Sequence, residues 1–260
     1  MKNRAFTLIE LLVVIAIIGI LAAMLMTALA AAKTTALKSR AKTEMQAVVT
    51  AIEAYDQTFG KFPVSKEVQD QASVNANNKI NPDFTFGGQF GVAPSVQTVQ
   101  STGLYRTNAE VIAILMDFTN YPGTTTATAN LNHQSNTKQT KFLAANLAPD
   151  NTSGGVGSDL VYRDPWGNPY VISMDLNYDN SCNDAFYGAA SVSQNPPGTY
   201  VQTGFNGLFN PNAIPATPAE KDSFQFHGKI MVWSAGPDGK INSSFPANQN
   251  PNKDNILSWQ

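Results

Sequence analysis

Phe6-Thr7-Leu8-Ile9-Glu10 opens a run that continues from Leu11 through Met26 without one polar side chain and resumes after Thr27 as Ala28-Leu29-Ala30-Ala31-Ala32. A helix needs roughly 20 apolar residues to cross a bilayer, and this stretch meets that length. Lys2 and Arg4 precede it in a short polar leader, and one carboxylate, Glu10, stands inside it. An acid at the membrane centre costs about 2.5–3.5 kcal/mol on insertion scales, so Glu10 calls for a partner or a role.

The helical pattern outlasts the apolar run. Ala41, Met45, Val48, Val49, Ile52, Tyr55 and Phe59 recur at i, i+3, i+4, i+7 spacing, while Lys38, Lys42, Glu44, Gln46, Glu53 and Asp56 fill the other faces. Gly60, with Pro63 just beyond, predicts the stop. A helix from Phe6 to Phe59 would be about 80 Å long at 1.5 Å per residue. Its first half is apolar all round and needs lipid or other helices; its second half has one stripe, which needs a globular domain.

Simpler readings of the first segment exist. Lys2 and Arg4, the apolar stretch and Ala30-Ala31-Ala32 imitate a secretory signal with cleavage before Lys33. Against it, the uninterrupted run exceeds the usual 7–15 residues, and Glu10 is out of place in such a region. A plain single-span anchor gives no reason for the carboxylate.

The order Ala5-Phe6-Thr7-Leu8-Ile9-Glu10 ahead of the run resembles the class III signal of type IV pilins and pseudopilins. The resemblance implies that a prepilin peptidase cuts between Ala5 and Phe6 and methylates the new amine. Glu10 is then the fifth mature residue, and Phe6 and Glu10 become the assembly contacts. Ala5 stands where the family usually has Gly, and Thr27 where many members have a helix-bending Pro, so the helix should stay straighter there. The implied division is a leader over 1–5, a membrane-spanning or filament-core helix over 6–32, its amphipathic half over 33–60, and a globular head over 61–260. The fold class that follows is α+β: a long N-terminal helix packed against a small C-terminal antiparallel sheet, the pilin fold, with an enlarged loop-rich middle at 65–160. Positive charge counting opposes the implied orientation, because Lys33, Lys38, Arg40 and Lys42 outnumber Lys2 and Arg4 and would keep the head in the cytoplasm. The resemblance instead implies a single-pass protein of the bacterial inner membrane, head in the periplasm, assembled into a periplasmic or surface filament.

Composition agrees with a polymer-forming chain. Charged residues make up 14%, against roughly 25% in typical soluble domains, and Asn, Gln, Thr and Ser supply the polarity. A net charge of −2 with no basic patch beyond the juxtamembrane group argues against nucleic acid as a partner. Cys182 is the one cysteine, which excludes an intrachain disulfide.

Within the head, Ser65 to about Ser101 reads as surface loops with at most a short helix, and Tyr121 to Gly157 as a displayed, Thr/Asn/Gly-rich insertion. Thr107-Asn108-Ala109-Glu110 has the form of a capping box before a short buried helix over Val111–Met116. Leu160–Tyr162, Tyr170–Met174 and Lys229–Ser234 are the strand signals. Two turn-rich blocks accompany them, Asp164-Pro165-Trp166-Gly167-Asn168-Pro169-Tyr170 and Ser234-Ala235-Gly236-Pro237-Asp238-Gly239-Lys240, and the chain closes on Asp254-Asn255-Ile256-Leu257-Ser258-Trp259. Each block alone is a local turn. Together with Ala54-Tyr55 and Phe62-Pro63, their order is similar to the G-type major pseudopilin of type II secretion.

That resemblance implies Ca²⁺ bound in a C-terminal loop, with Asp238 and Asp254 as the matching acids. A second group, Asp175, Asn177 and Asp179 with Asp184 beyond, alternates oxygen donors as calcium loops do. It lacks their Gly and final acid, since Asn180 and Phe186 stand at those places, and it also reads as a hairpin loop. Enzymatic motifs are missing: there is no P-loop, G-x-S-x-G or H-E-x-x-H. His133 and His227 read as surface or packing residues, and the expectation is that the chain is not an enzyme.

The function implied is that of a structural subunit of a type II secretion pseudopilus: a homo-oligomeric helical filament handled by a prepilin peptidase, minor pseudopilins, an assembly platform and an ATPase. A surface type IV pilin for adhesion or motility is the alternative, and a membrane-anchored binding module or enzyme a more distant one.

Overall fold

The computed structural model describes residues 8–70, 72, 83–87, 106–197, 201–212 and 217–260. It divides into two units, Met1–Ser39 and Arg40–Gln260. Helix α1, Leu8–Phe59, contributes to both.

In the first unit α1 carries its apolar side chains outward on all sides. Exposure of the large ones runs from 46% at Val14 to 85% at Leu8, and the consecutive residues Leu11 to Ile15 alone sweep more than one turn. Among the described residues, α1 is long and apolar enough to cross a membrane. At the polar end of the run, Thr34 and Thr35 turn their hydroxyls back onto the Ala30 and Ala31 carbonyls, at 3.1 and 3.0 Å, so neither hydroxyl competes for another partner.

The second unit begins with the amphipathic part of α1. Ala41, Met45, Val48, Ile52 and Tyr55 of the expected stripe are buried, joined by Ala51, with Val49 and Phe59 at the margin. The helix stops where the sequence says: Gly60 adopts φ +66° and its N–H closes on the Asp56 carbonyl at 2.7 Å. The stripe packs on a four-stranded antiparallel sheet ordered β1-β4-β7-β8. These strands are Phe84–Phe86, Val171–Met174, Ile230–Ser234 and Ile256–Leu257. Two further pairs flank it: β2 (Gly155–Val156) with β3 (Tyr162–Arg163), and β5 (Ser181–Asn183) with β6 (Gln225–His227).

Strand alternation gives the sheet two buried faces. Ile172 and Met174 of β4, Ile230 and Val232 of β7, and Ile256 of β8 join the core that contains α1 and the short helix α2, Ala109–Leu115. Their neighbours Val171, Met231, Trp233 and Leu257 point the other way, into a second core with Cys182, Phe186, Tyr187, Val192 and Phe224. An antiparallel sheet can leave one face in water. Here a layer of turns and short elements after β4 covers it.

Several expectations change in detail. Phe84–Phe86, in the stretch read as surface loops, is the edge strand β1, and its Phe-Thr-Phe alternation is too short to announce itself. The capping box does not form. Asn108 is the residue that caps α2, with no side-chain cap bond; its amide is spent on Tyr162 and Tyr170, and the Glu110 carboxylate accepts from Ser65 N at 2.8 Å. Residues 121–157 are only partly surface, since Leu143 and Val156 enter the core and Asn130 and Asn136 are buried. The loop after β4 is not a hairpin, because β5 pairs with β6 whereas β4 pairs with β1 and β7.

Candidate functional site

Of the residues expected to serve processing and assembly, only Glu10 lies within the described part of α1. Ala5 and Phe6 lie outside the described residues. Glu10 lies in the first described turn of α1. Around it Leu8, Ile9, Leu11 and Leu12 are exposed apolar side chains. A helix of this kind has its apolar surface on offer to lipid or to other helices, with one ionisable group, Glu10, among the apolar residues of the described run.

In the head, the two turn blocks noted in the sequence meet at one buried carboxylate. Asp164 Oδ1 accepts the N–H groups of Trp166 and Asn168, at 2.8 and 2.9 Å, folding the first block on itself. Its Oδ2 accepts from the Asn168 amide and from the Ser234 hydroxyl, which belongs to the second block. Ser234 Oγ in turn accepts from Gly236 N at 3.0 Å, and the Asn168 amide also donates to the Gly236 carbonyl at 2.9 Å. Burial pushes the Asp164 carboxyl above its usual range, against the pull of the hydrogen bonds from Ser234, Asn168 and Trp166. Gly236 and Gly239 carry φ +71° and +63°. A Cβ at Gly236 would overlap the Asp254 carbonyl oxygen, so glycine is required on both counts.

The proposed calcium acids flank this same turn. Asp238 is exposed and its Oδ1 accepts from Lys240 N at 2.8 Å, while the Asp254 carbonyl and carboxylate lie against Gly236. Among the described residues no group of three or more acidic, histidine or cysteine side chains is arranged to hold a metal. Carboxylate and carbonyl oxygens around a glycine turn are nonetheless the donor types Ca²⁺ takes.

The second acidic group separates into two parts. Asp175 receives Asp179 N at 3.2 Å and Asn180 N at 2.8 Å, Asp179 receives Ser181 N at 2.8 Å, and the Asn177 amide donates to Asp179 at 2.9 Å. Asp184 serves elsewhere. Ser173 Oγ and Trp233 Nε1 donate to its Oδ2, at 2.6 and 3.0 Å, and Phe186 N and Tyr187 N to its Oδ1. That carboxylate ties β4, β7 and the second core together.

Both histidines have structural contacts. His133 Nδ1 lies 2.7 Å from Asp117, and His227 stacks on Phe209 with ring centroids 3.7 Å apart. Sequence reasoning missed a further polar contact, in which the Tyr170 hydroxyl donates to Glu44 at 2.7 Å and Arg40 pairs with the same carboxylate at 2.8 Å. Glu44 looked like one more residue on the polar face of the helix, and nothing local in the sequence signals the partner 126 positions on.

Comparison with known proteins finds the prokaryotic N-terminal methylation motif over residues 1–26. No curated protein and no solved structure matches the chain. The motif supports a type IV pilin-like protein and implies prepilin peptidase processing and association with a membrane.

Proposed function

We propose that this chain is a filament subunit, the structural subunit of a type II secretion pseudopilus, held before assembly in the bacterial inner membrane with its head in the periplasm. The observation that carries the reading is the all-round exposed apolar surface between Leu8 and Leu29 with Glu10 as the one carboxylate within it. After cleavage before Phe6, the new amine of one subunit pairs with Glu10 of its neighbour as the helices bundle. Pairing offsets the penalty of a lone buried charge and fixes the stagger between subunits. The pseudopilus over a surface pilus is supported by the two turn blocks, which resemble the G-type pattern and pack on one another through Asp164. In that reading Asp238 and Asp254 hold Ca²⁺ and pin the C-terminal turn; the chain's role is mechanical, not enzymatic.

Glu10→Gln tests the mechanism, because it keeps size and hydrogen bonding but removes the charge. Mature protein of the variant should start at Phe6, N-methylated, as shown by intact mass, and its head should melt as in the native chain. Filaments should be lost from cells lacking the native subunit. Normal filament abundance would overturn the pairing mechanism, and a mature chain starting at Lys33 would overturn the filament reading itself. Deletion of the gene separates the two filament classes: retained periplasmic cargo supports the pseudopilus, and loss of surface fibres with normal export supports a pilus.

A further inference from the structure

The strongest unassigned chemistry in the head lies where the sheet register brings two aspartates to one end of a strand pair. Phe84 of β1 pairs with Met174 of β4 at the end of their ladder, and Asp83 and Asp175 are the next residues outward on the two chains. Like charges on neighbouring strands repel. Asp83 is buried. Its Oδ2 accepts the Asn183 N–H at 2.6 Å, but its Oδ1 is buried with no hydrogen-bond partner. Desolvation first, and then the charges of Asp175 and Asp179, raise the Asp83 carboxyl well above its usual range, while the N–H groups of Asn183 and Leu176 oppose them. Lys229, whose carbonyl accepts Asp175 N, directs its own ammonium to Asp56 at 3.3 Å.

An orphaned, buried carboxylate oxygen beside two more acids is a costly arrangement unless positive charge completes it. We propose that Asp83, Asp175 and Asp179, with the Asn177 side-chain oxygen, form a binding site for a hard divalent cation of the Ca²⁺ type. The ligands are all oxygens, as such a cation requires, and each carboxylate oxygen that already accepts an N–H keeps a second lone pair. Tyr178 and Asn180, at φ +61° and +63°, fold the loop so that Asp175 and Asp179 stay close. Among the described residues no three acids are already drawn to ligand distance, so binding closes the exposed Tyr178–Asn180 turn toward Asp83. Asp184 takes no part, since four donors already occupy it.

The test uses the full chain in detergent micelles, stripped with chelator, in an Asp238→Ala background that removes the other proposed site. Added Ca²⁺ should raise its thermal midpoint. Asp83→Asn should raise the metal-free midpoint, by removing a buried charge, and weaken Ca²⁺ binding in calorimetry by at least about tenfold. Asp179→Asn, on the exposed loop, should weaken binding similarly without lowering the metal-free midpoint. If Asp83→Asn does not fold, Asp179→Asn decides. Unaltered Ca²⁺ affinity in the variants overturns the proposal. So does a Ca²⁺-insensitive parent whose stability falls as pH rises, because a proton then fills the place assigned to the cation.

Discussion

Replacing Asp164 with Ala tests whether one carboxylate holds the two turn blocks together. The change strands four donors: Trp166 N, Asn168 N, the Asn168 amide and the Ser234 hydroxyl. A buried donor left without a partner costs about 1–3 kcal/mol. Ser234 is fully buried and bears that in full, whereas Trp166 and Asn168 are half-exposed and recover part from water. Relief of the buried carboxyl offsets some of the loss, so the net destabilisation should be about 2–4 kcal/mol. For a body of this size that lowers the melting midpoint by roughly 5–15 °C. Asp164→Asn keeps an acceptor for the two backbone N–H groups but turns a donor toward Asn168, and should lose about half as much. The pH dependence has a definite sign. The folded carboxyl sits above its unfolded value, so its stabilisation is complete below the unfolded value and declines as pH rises through the folded one. The gap between wild type and Asp164→Ala in urea unfolding should therefore be wider near about pH 4 than near about pH 7. A gap under about 0.5 kcal/mol at both, within the noise of surface substitutions, would refute the reasoning.

Asn136→Asp should destabilise the head by about 3 kcal/mol at neutral pH, because a carboxylate cannot donate to the Ile114 and Thr140 carbonyls that the amide now serves. Part of that loss should be regained in acid, where the new group is protonated; identical unfolding curves at about pH 5 and about pH 8 would count against it. At Asp238 and Asp254, chelation in an Asp179→Asn background should lower the midpoint, and Asp238→Ala should remove that response, since an ion at 100 times its Kd adds about 2.7 kcal/mol. An unchanged midpoint on chelation there excludes Ca²⁺ from the C-terminal turn.

Elements whose cause is local were readable in the sequence. The stripe from Ala41 to Phe59 and its stop at Gly60 follow from period and one glycine, and β4 and β7 from runs of β-branched and aromatic residues. What escaped depends on distant pairing. β1 is three residues long and exists because β4 accepts it as an edge. The second core draws on Cys182, Phe186, Tyr187, Val192 and Phe224, scattered through turns where no period can gather them. Asp83 is brought beside the β4 end by strand register, and Asp184, close to the Asp175–Asp179 loop in sequence, bonds Ser173 and Trp233 of the sheet instead. The capping box fails for a related reason: the helix is capped one residue on, at Asn108 rather than Thr107, and the Glu110 carboxylate accepts from the distant Ser65 N–H.

The asparagines explain how so loop-rich a head holds together. Backbone N–H and C=O groups buried outside helices and strands still need partners. Asn108 gives its amide to the Tyr162 and Tyr170 carbonyls and takes the Tyr162 N–H, as a neighbouring strand would. Asn136 does the same for Ile114 and Thr140, and Asn252 for Asn242 and Phe245. Asn130 receives the N–H groups of Ser135 and Asn136 while donating to Asp117. An amide can do this because it carries donors and an acceptor on one short neutral stem, so it closes a loop without the desolvation penalty of a charge. The same residues that mark 121–157 as loop in the sequence therefore fix that loop in space. With Cys182 a free, buried thiol, no disulfide shares the task. Removing one such amide should open its own loop first, while the sheet and the helix stripe, which share none of its bonds, stay closed.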